Sequence, residues 1–148
     1  MSGDRIEREI LIDASRERVW AVLTRAEYVA QWFGDSAEID LKPGGSAQFG
    51  WTEYNATHKA LIEQVDPPSF FSYRWTNKSD GELAEGNWTL VEFSLTEVPT
   101  GTLLQVVESG FTSLHLTADE QQKAAKDNTD GWTSELAELK EYAEQAAA

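Results

Sequence analysis

WTLVEFSLTEVPTGTLLQVVES, Trp88–Ser109, alternates apolar and polar residues on both sides of Pro99-Thr100-Gly101. A period of two puts successive side chains on opposite faces, so the stretch specifies two strands with one buried face each. The Pro-Thr-Gly break carries turn chemistry and is too short for a crossover, which makes the pair antiparallel. Outward toward the N-terminus the same pattern recurs near Phe70–Trp75, Thr57–Val65, Ser46–Thr52 and Glu38–Leu41. Asn77–Gly86, Asp66-Pro67-Pro68 and Lys42-Pro43-Gly44-Gly45 separate these segments, again with turn residues. The centre of the chain is therefore an antiparallel meander.

The flanks have a different period. Ile6, Ile10 and Ile12 read as a first, edge-type strand. Asp13-Ala14-Ser15 offers capping side chains to a short helix over Arg16–Leu23. Thr24-Arg25-Ala26-Glu27 has the form of a capping box and opens a second short helix through Trp32, which Gly34 ends. Thr117-Ala118-Asp119-Glu120 is another such box, and helical character then continues almost to Ala148. In that last helix Trp132, Leu136, Leu139 and Ala143 share one face, while Glu135, Glu138, Glu141 and Glu144 are expected on the opposite side. Gly131 interrupts it at a cost of about 1 kcal/mol relative to Ala, which close packing on another element would justify.

A sheet of about seven strands cannot leave its apolar face in water, and only one long helix is available to cover it. The expected class is thus α+β: a curved antiparallel sheet wrapped around a long C-terminal helix, with two short helices after the first strand. A two-sheet sandwich would leave the Trp132–Ala143 stripe without a partner. The 148 residues fit one domain, 1–148, large enough to bury a core unaided. The chain has no cysteine, which excludes disulfides and thiolate chemistry. Two histidines far apart in sequence make no recognisable metal site, and no motif calls for a cofactor. A net charge of −14 repels phosphate backbones and anionic membranes, so no nucleic-acid partner is expected. Met1–Glu9 is too polar for a signal peptide and no apolar run reaches membrane-spanning length, giving an expected cytoplasmic location without membrane insertion.

Several motifs recur in a known order. Ile12-Asp13-Ala14 with Val19-Trp20, Gln31-Trp32-Phe33-Gly34, Pro43-Gly44-Gly45, Val65-Asp66-Pro67-Pro68, Glu108-Ser109-Gly110-Phe111 and Gly131-Trp132 with Leu136 and Leu139 span nearly the whole chain. In them the sequence resembles the SRPBCC superfamily of START and birch-pollen-allergen helix-grip proteins. The branch it is most similar to is named after the C-terminal domain of the activator of the 90-kDa heat-shock chaperone ATPase. The resemblance implies a helix-grip fold with an internal cavity. Relatives include lipid carriers, hormone receptors, polyketide cyclases and co-chaperone domains, so it does not fix an activity. Binding of a small lipid-like or aromatic molecule without chemistry is the leading expectation. A cyclase- or hydrolase-like enzyme and a co-chaperone-like interaction domain, with a chaperone as partner, are the alternatives. The expected assembly is a monomer or weak homodimer. The sequence departs from the family pattern at Trp51–His58, at Asn77–Gly86 and at Leu114-His115-Leu116, where cavity mouths commonly lie.

Strand parity gives a list of side chains expected to face that cavity. It comprises Trp51, His58, Tyr73, Trp75, Val91, Phe93, Leu104, Val106 and Glu108 from the sheet, with Trp132 and Leu136 from the helix. Glu108, His58, Tyr73 and the Trp51 and Trp75 indoles are its polar members, able to orient a ligand in an apolar chamber. Glu108 stands out because it shares a face with Leu104 and Val106, and no cation is near it in sequence.

Overall fold

The computed structural model describes residues 4–78 and 81–146. Strand β1 (Arg5–Ile12) is followed by helices α1 (Arg16–Thr24) and α2 (Ala26–Trp32). Then come β2 (Ser36–Ile39), β3 (Ser46–Trp51), β4 (Ala56–Asp66), β5 (Phe70–Thr76), β6 (Trp88–Val98), β7 (Gly101–Ser109) and the 29-residue helix α3 (Ala118–Ala146). All neighbouring strands are antiparallel, in the order β1-β7-β6-β5-β4-β3-β2. Every connection from β2 to β7 therefore joins adjacent strands, as its short turns require, and only β1 crosses to the far edge.

The decisive hairpin behaves as its alternation demands. Thr89, Val91, Phe93 and Leu95 of β6, with Thr102, Leu104, Val106 and Glu108 of β7, are buried along one face. That face closes on α3, whose Trp132, Leu136, Leu139 and Ala143 are all buried. Burial at this level removes most of each side chain's apolar area from water, worth roughly 1.5–3 kcal/mol per large residue. Helices α1 and α2 cover one end of the grip, where Val19, Val22, Leu23, Val29 and Trp32 join the same core.

The two capping boxes fare differently. At α3, Thr117 Oγ1 accepts from the Glu120 amide at 3.1 Å and Glu120 accepts from the Thr117 amide at 2.9 Å. At α2 no box forms, because Thr24 still belongs to α1 and its hydroxyl donates to the Trp20 carbonyl at 2.8 Å. Arg25 takes the cap position without a side-chain bond. Ser72, whose strand parity is opposite to that of the apolar Phe71, Tyr73 and Trp75, is nonetheless buried: it is a short side chain between Gln64 and Glu92, its longer neighbours on adjacent strands. Among the described residues no helix is long and apolar enough to cross a membrane.

Candidate functional site

The site lies at the mouth of the grip, where α3 passes the α2–β2 turn and the end of β3. Gly34 makes the close approach possible. Its φ is +69°, and a Cβ there would sit 2.2 Å from the Gly50 carbonyl oxygen and 3.1 Å from the Trp51 ring. Next to it Asp35 donates its amide to Gly50 O at 2.9 Å and accepts from the Thr52 amide and hydroxyl at 3.0 Å each. These contacts hold the Thr52–Tyr54 turn open as a rim, which Asn55 ends in a left-handed conformation.

Between rim and helix lies a cleft of about 530 Å³, within the usual range for small-molecule sites. Phe33, Trp51, Tyr54, Trp75 and Trp132 supply its apolar walls. Phe33 is the keystone of this wall: its ring stacks on Trp132 (5.4 Å, 7°) and on Trp75 (5.6 Å, 26°) and meets Trp51 edge-on (5.0 Å, 76°). Asp35, Glu53, Glu135 and Glu138 supply carboxyl groups, and none of the described residues lining the cleft is Lys or Arg. A smaller recess of about 270 Å³ shares Trp51, Tyr54, Trp75 and Asn128 with it and adds His58.

Glu108 stands behind the wall. It is fully buried, and its oxygens accept from Trp75 Nε1 (3.0 Å), Thr89 Oγ1 (2.5 Å), Asn128 Nδ2 (3.1 and 3.0 Å) and Trp132 Nε1 (2.8 Å). An indole N–H can only donate, and one meets each oxygen, so both oxygens serve as acceptors. The donors are neutral; fixed dipoles do here what a buried cation would do elsewhere. Three of the four, Trp75, Trp132 and Asn128, line the cleft. Glu108 thus fixes the orientation of the walls.

Glu135 is the reverse case. Half-buried on α3, it lines the cleft and its Oε2 is enclosed without a hydrogen-bond partner. Burial, then a hydrogen bond and charge repulsion from Glu138, push its pKa up to about 8, against the opposing pull of the Gly34 backbone and the Trp51 side chain. Tyr73, deeper in the core, is raised well above its ordinary value by burial and by the charges of Glu108 and Glu135. His58 places Nδ1 2.8 Å from the Thr76 carbonyl oxygen. A carbonyl only accepts, so Nδ1 carries the proton, and the ring lines the recess. Its ring lies against Trp75 and Trp51, at 5.3 and 5.6 Å.

The chain's own family is now recognisable. A family model described as "Activator of Hsp90 ATPase homolog 1-like protein" matches residues 13–144. The chain belongs to this family. No curated protein matches it. Among solved structures, protein MLL2253 from Mesorhizobium loti is similar over 93% of this chain and 95% of its own, with 21% identity and a TM-score of 0.78. The Aha1 dimer from Colwellia psychrerythraea shows 20% identity and a TM-score of 0.76 over 95% of this chain and 96% of that one. DynU16, from the dynemicin biosynthetic locus, shares 22% identity with a TM-score of 0.78; 97% of this chain aligns with 48% of it. At these identities the likeness is one of fold.

Of the side chains expected to face a cavity in this family member, Trp51, Trp75 and Trp132 line the cleft and His58 lines the adjoining recess. Tyr73, Val91, Phe93, Leu104, Val106 and Leu136 are each at most 2% exposed and pack among one another. Glu108 reaches the cleft only through its donors. Phe33, Asn128 and Glu135 were not singled out by parity. Asn128 lies one helical turn before Trp132, on the same face, and Glu135 three residues after it, on the flank. Glu135 therefore corrects the assignment of the acidic stripe to the side away from the core. Gly131 corrects another expectation: nothing lies within 4 Å of where its Cβ would be, and it is exposed on the cleft lining. The glycine leaves room rather than permitting close packing.

Proposed function

We propose that this chain acts as one domain that binds a small lipid-like or aromatic molecule at the mouth of the grip, against the Trp51, Trp75 and Trp132 rings. The observation that carries the reading is the aromatic wall itself: six aromatic residues line a cleft of about 530 Å³ and two of them are held from behind by Glu108. Rings fixed by hydrogen bonds lose little freedom when a ligand lands on them, which favours binding by pre-organisation. The packed interior supports a site at the mouth over one deep inside. In this reading the co-chaperone role suggested by the family's name is secondary.

A neutral fluorescent probe, N-phenyl-1-naphthylamine, tests the proposal directly. Emission should rise on mixing, and tryptophan fluorescence should fall by transfer to the probe. Gly131→Leu supplies the control, since a side chain there projects into space free of neighbours. It should weaken binding by about tenfold or more while holding or improving thermal stability, because Leu is the better helix former by about 1 kcal/mol. Unaltered binding by this folded variant would move the site elsewhere.

Glu135 supports one further reading, proton transfer to a bound molecule, because an enclosed carboxyl with a pKa near neutrality suits general acid–base work. If it operates, the molecule recovered from the cleft will differ in structure from the one supplied, as chromatography with mass spectrometry would show.

A further inference from the structure

The cleft has two chemical halves that a neutral ligand would not need together. One is a set of aromatic side chains, the partly exposed Trp51 and the exposed Tyr54 with the largely covered Trp75 and Trp132 behind them; the other is a set of carboxyls, Asp35, Glu53, Glu135 and Glu138. Aromatic faces carry negative potential, and a cation above them is attracted by up to about 2 kcal/mol when desolvated. Carboxylates at the rim add to the same sign. The whole surface does too, at a net charge of −14, which raises the local concentration of cations. Tyr54 fits the role of a closing wall: it is 71% exposed on the rim, a large ring with little of its own to cover.

We infer that the cleft selects an organic cation, an amine or quaternary ammonium on an apolar or aromatic body, with the apolar part on Trp51 and Tyr54 and the charge beside Glu135. The inference rests on the ligand-binding reading above and specifies its ligand class. Glu135 Oε2, enclosed and without a partner, is then the atom that the ligand's charge completes. An arriving cation offsets the desolvation that holds Glu135 protonated, so binding releases a proton and affinity grows with pH through the region of about 8. The groups facing Glu135 are Glu138 on its own helix, Asp35 on the α2–β2 turn, Glu53 and Tyr54 on the rim and Tyr73 beneath. The other carboxyls are of the same sign and favour the cation throughout, while the Tyr73 phenol, raised above its ordinary value, stays neutral across this range.

The test compares benzyltrimethylammonium with its uncharged carbon isostere neopentylbenzene, each competing against N-phenyl-1-naphthylamine. The quaternary charge does not titrate, so any pH dependence belongs to the protein. The cation should bind about tenfold tighter than the isostere at pH 8.5. Between about pH 6 and pH 9 that preference should grow about three- to fivefold, the scale of a partly exposed ion pair. In Glu135→Gln, checked for folding by thermal unfolding, the preference should shrink and become flat with pH. Equal affinity for the two isosteres, or a pH dependence that persists in the Gln variant, would overturn the inference while leaving the binding site in place. Failure of the neutral fluorescent probe to bind at all would instead remove the reading beneath it.

Discussion

Glu108 faces α3 from the sheet and Glu135 projects from the flank of that helix, and their surroundings treat them oppositely. Glu108 is sealed and its oxygens are saturated by Trp75, Thr89, Asn128 and Trp132. Glu135 keeps an enclosed oxygen with no partner, and the acid nearest to it, Glu138, makes its charge harder to hold. A buried polar group left unsatisfied is expensive, so native proteins keep few of them. Around Glu108 that rule is obeyed and at the mouth Glu135 breaks it; the other enclosed atoms without a partner among the described residues, Arg16 Nε and Arg18 Nη2, lie on α1 away from the cleft. The two regions therefore answer to different demands: the first is arranged for its own stability and the second for something that arrives. The same division holds for apolar groups. Phe93, Leu104 and Leu136 spend their surface on each other, whereas Tyr54 and the Gly131 gap leave surface and volume unused.

The largest expected effect tests the interior half of this contrast. Leu136 is 2% exposed on the central turn of α3, and Leu136→Ala should cost about 2–5 kcal/mol in urea unfolding. A cost near zero would mean that the interior is as loosely filled as the mouth, and the contrast would collapse. Next in size is Glu108→Gln. The amide replaces one acceptor by a donor that must face an indole N–H, leaving about 1–3 kcal/mol of hydrogen bonding unsatisfied. Because Trp75 and Trp132 lose their common anchor, their indole N–H resonances should shift and probe binding should weaken in the same variant. Loss of stability without those shifts would separate the hub from the walls.

What could be read in advance follows the strength of the local signal. The strands, their antiparallel order and the inward set on β6 and β7 came from a period that has only one structural meaning, and the α3 stripe from its complement. The resemblance added the helix-grip form, and the family membership now shown agrees with it. The site was legible where a pattern or a break in it marked the residue. Trp51, Trp75 and Trp132 carry strand or helix parity, and the departure at Trp51–His58 coincides with the rim of the cleft. Phe33 escaped because it follows α2 in an irregular turn, where no period assigns a face. Glu135 escaped because acidic residues at i+3 spacing usually mark a solvated face, and only the approach of the Gly34 turn encloses it. Thr24 shows the limit from the other side, since a capping sequence yields to a hydroxyl already engaged one turn back.

The smallest expected effect is the one that speaks most directly to the mouth. Folding moves Glu135 from an ordinary carboxyl at 4.5 to one at about 8. Its folded state thus binds a proton that the unfolded state releases at any pH between those values. Stability falls with rising pH wherever the native state holds more protons, so this group's contribution is intact below about pH 4.5 and is lost as pH climbs through about 8. Glu120 and Glu144 act in the opposite sense, because Thr117 and Lys140 respectively hold them below the usual carboxyl value; their contribution is lost only as pH falls under 4.5. The two windows do not overlap, so a decline over roughly pH 5.5–8.5 can be assigned by difference. Solvent reaches part of Glu135 and screens the effect, which is why it ranks below the two substitutions above. Urea midpoints measured across that range should drift downward in the wild type and stay level in Glu135→Gln. The variant should also be the more stable of the two at the alkaline end, where a neutral amide replaces a poorly solvated charge. Parallel pH profiles for the two proteins would mean that Glu135 is as well satisfied in the folded chain as Glu108, and that the mouth and the interior are not built to different ends.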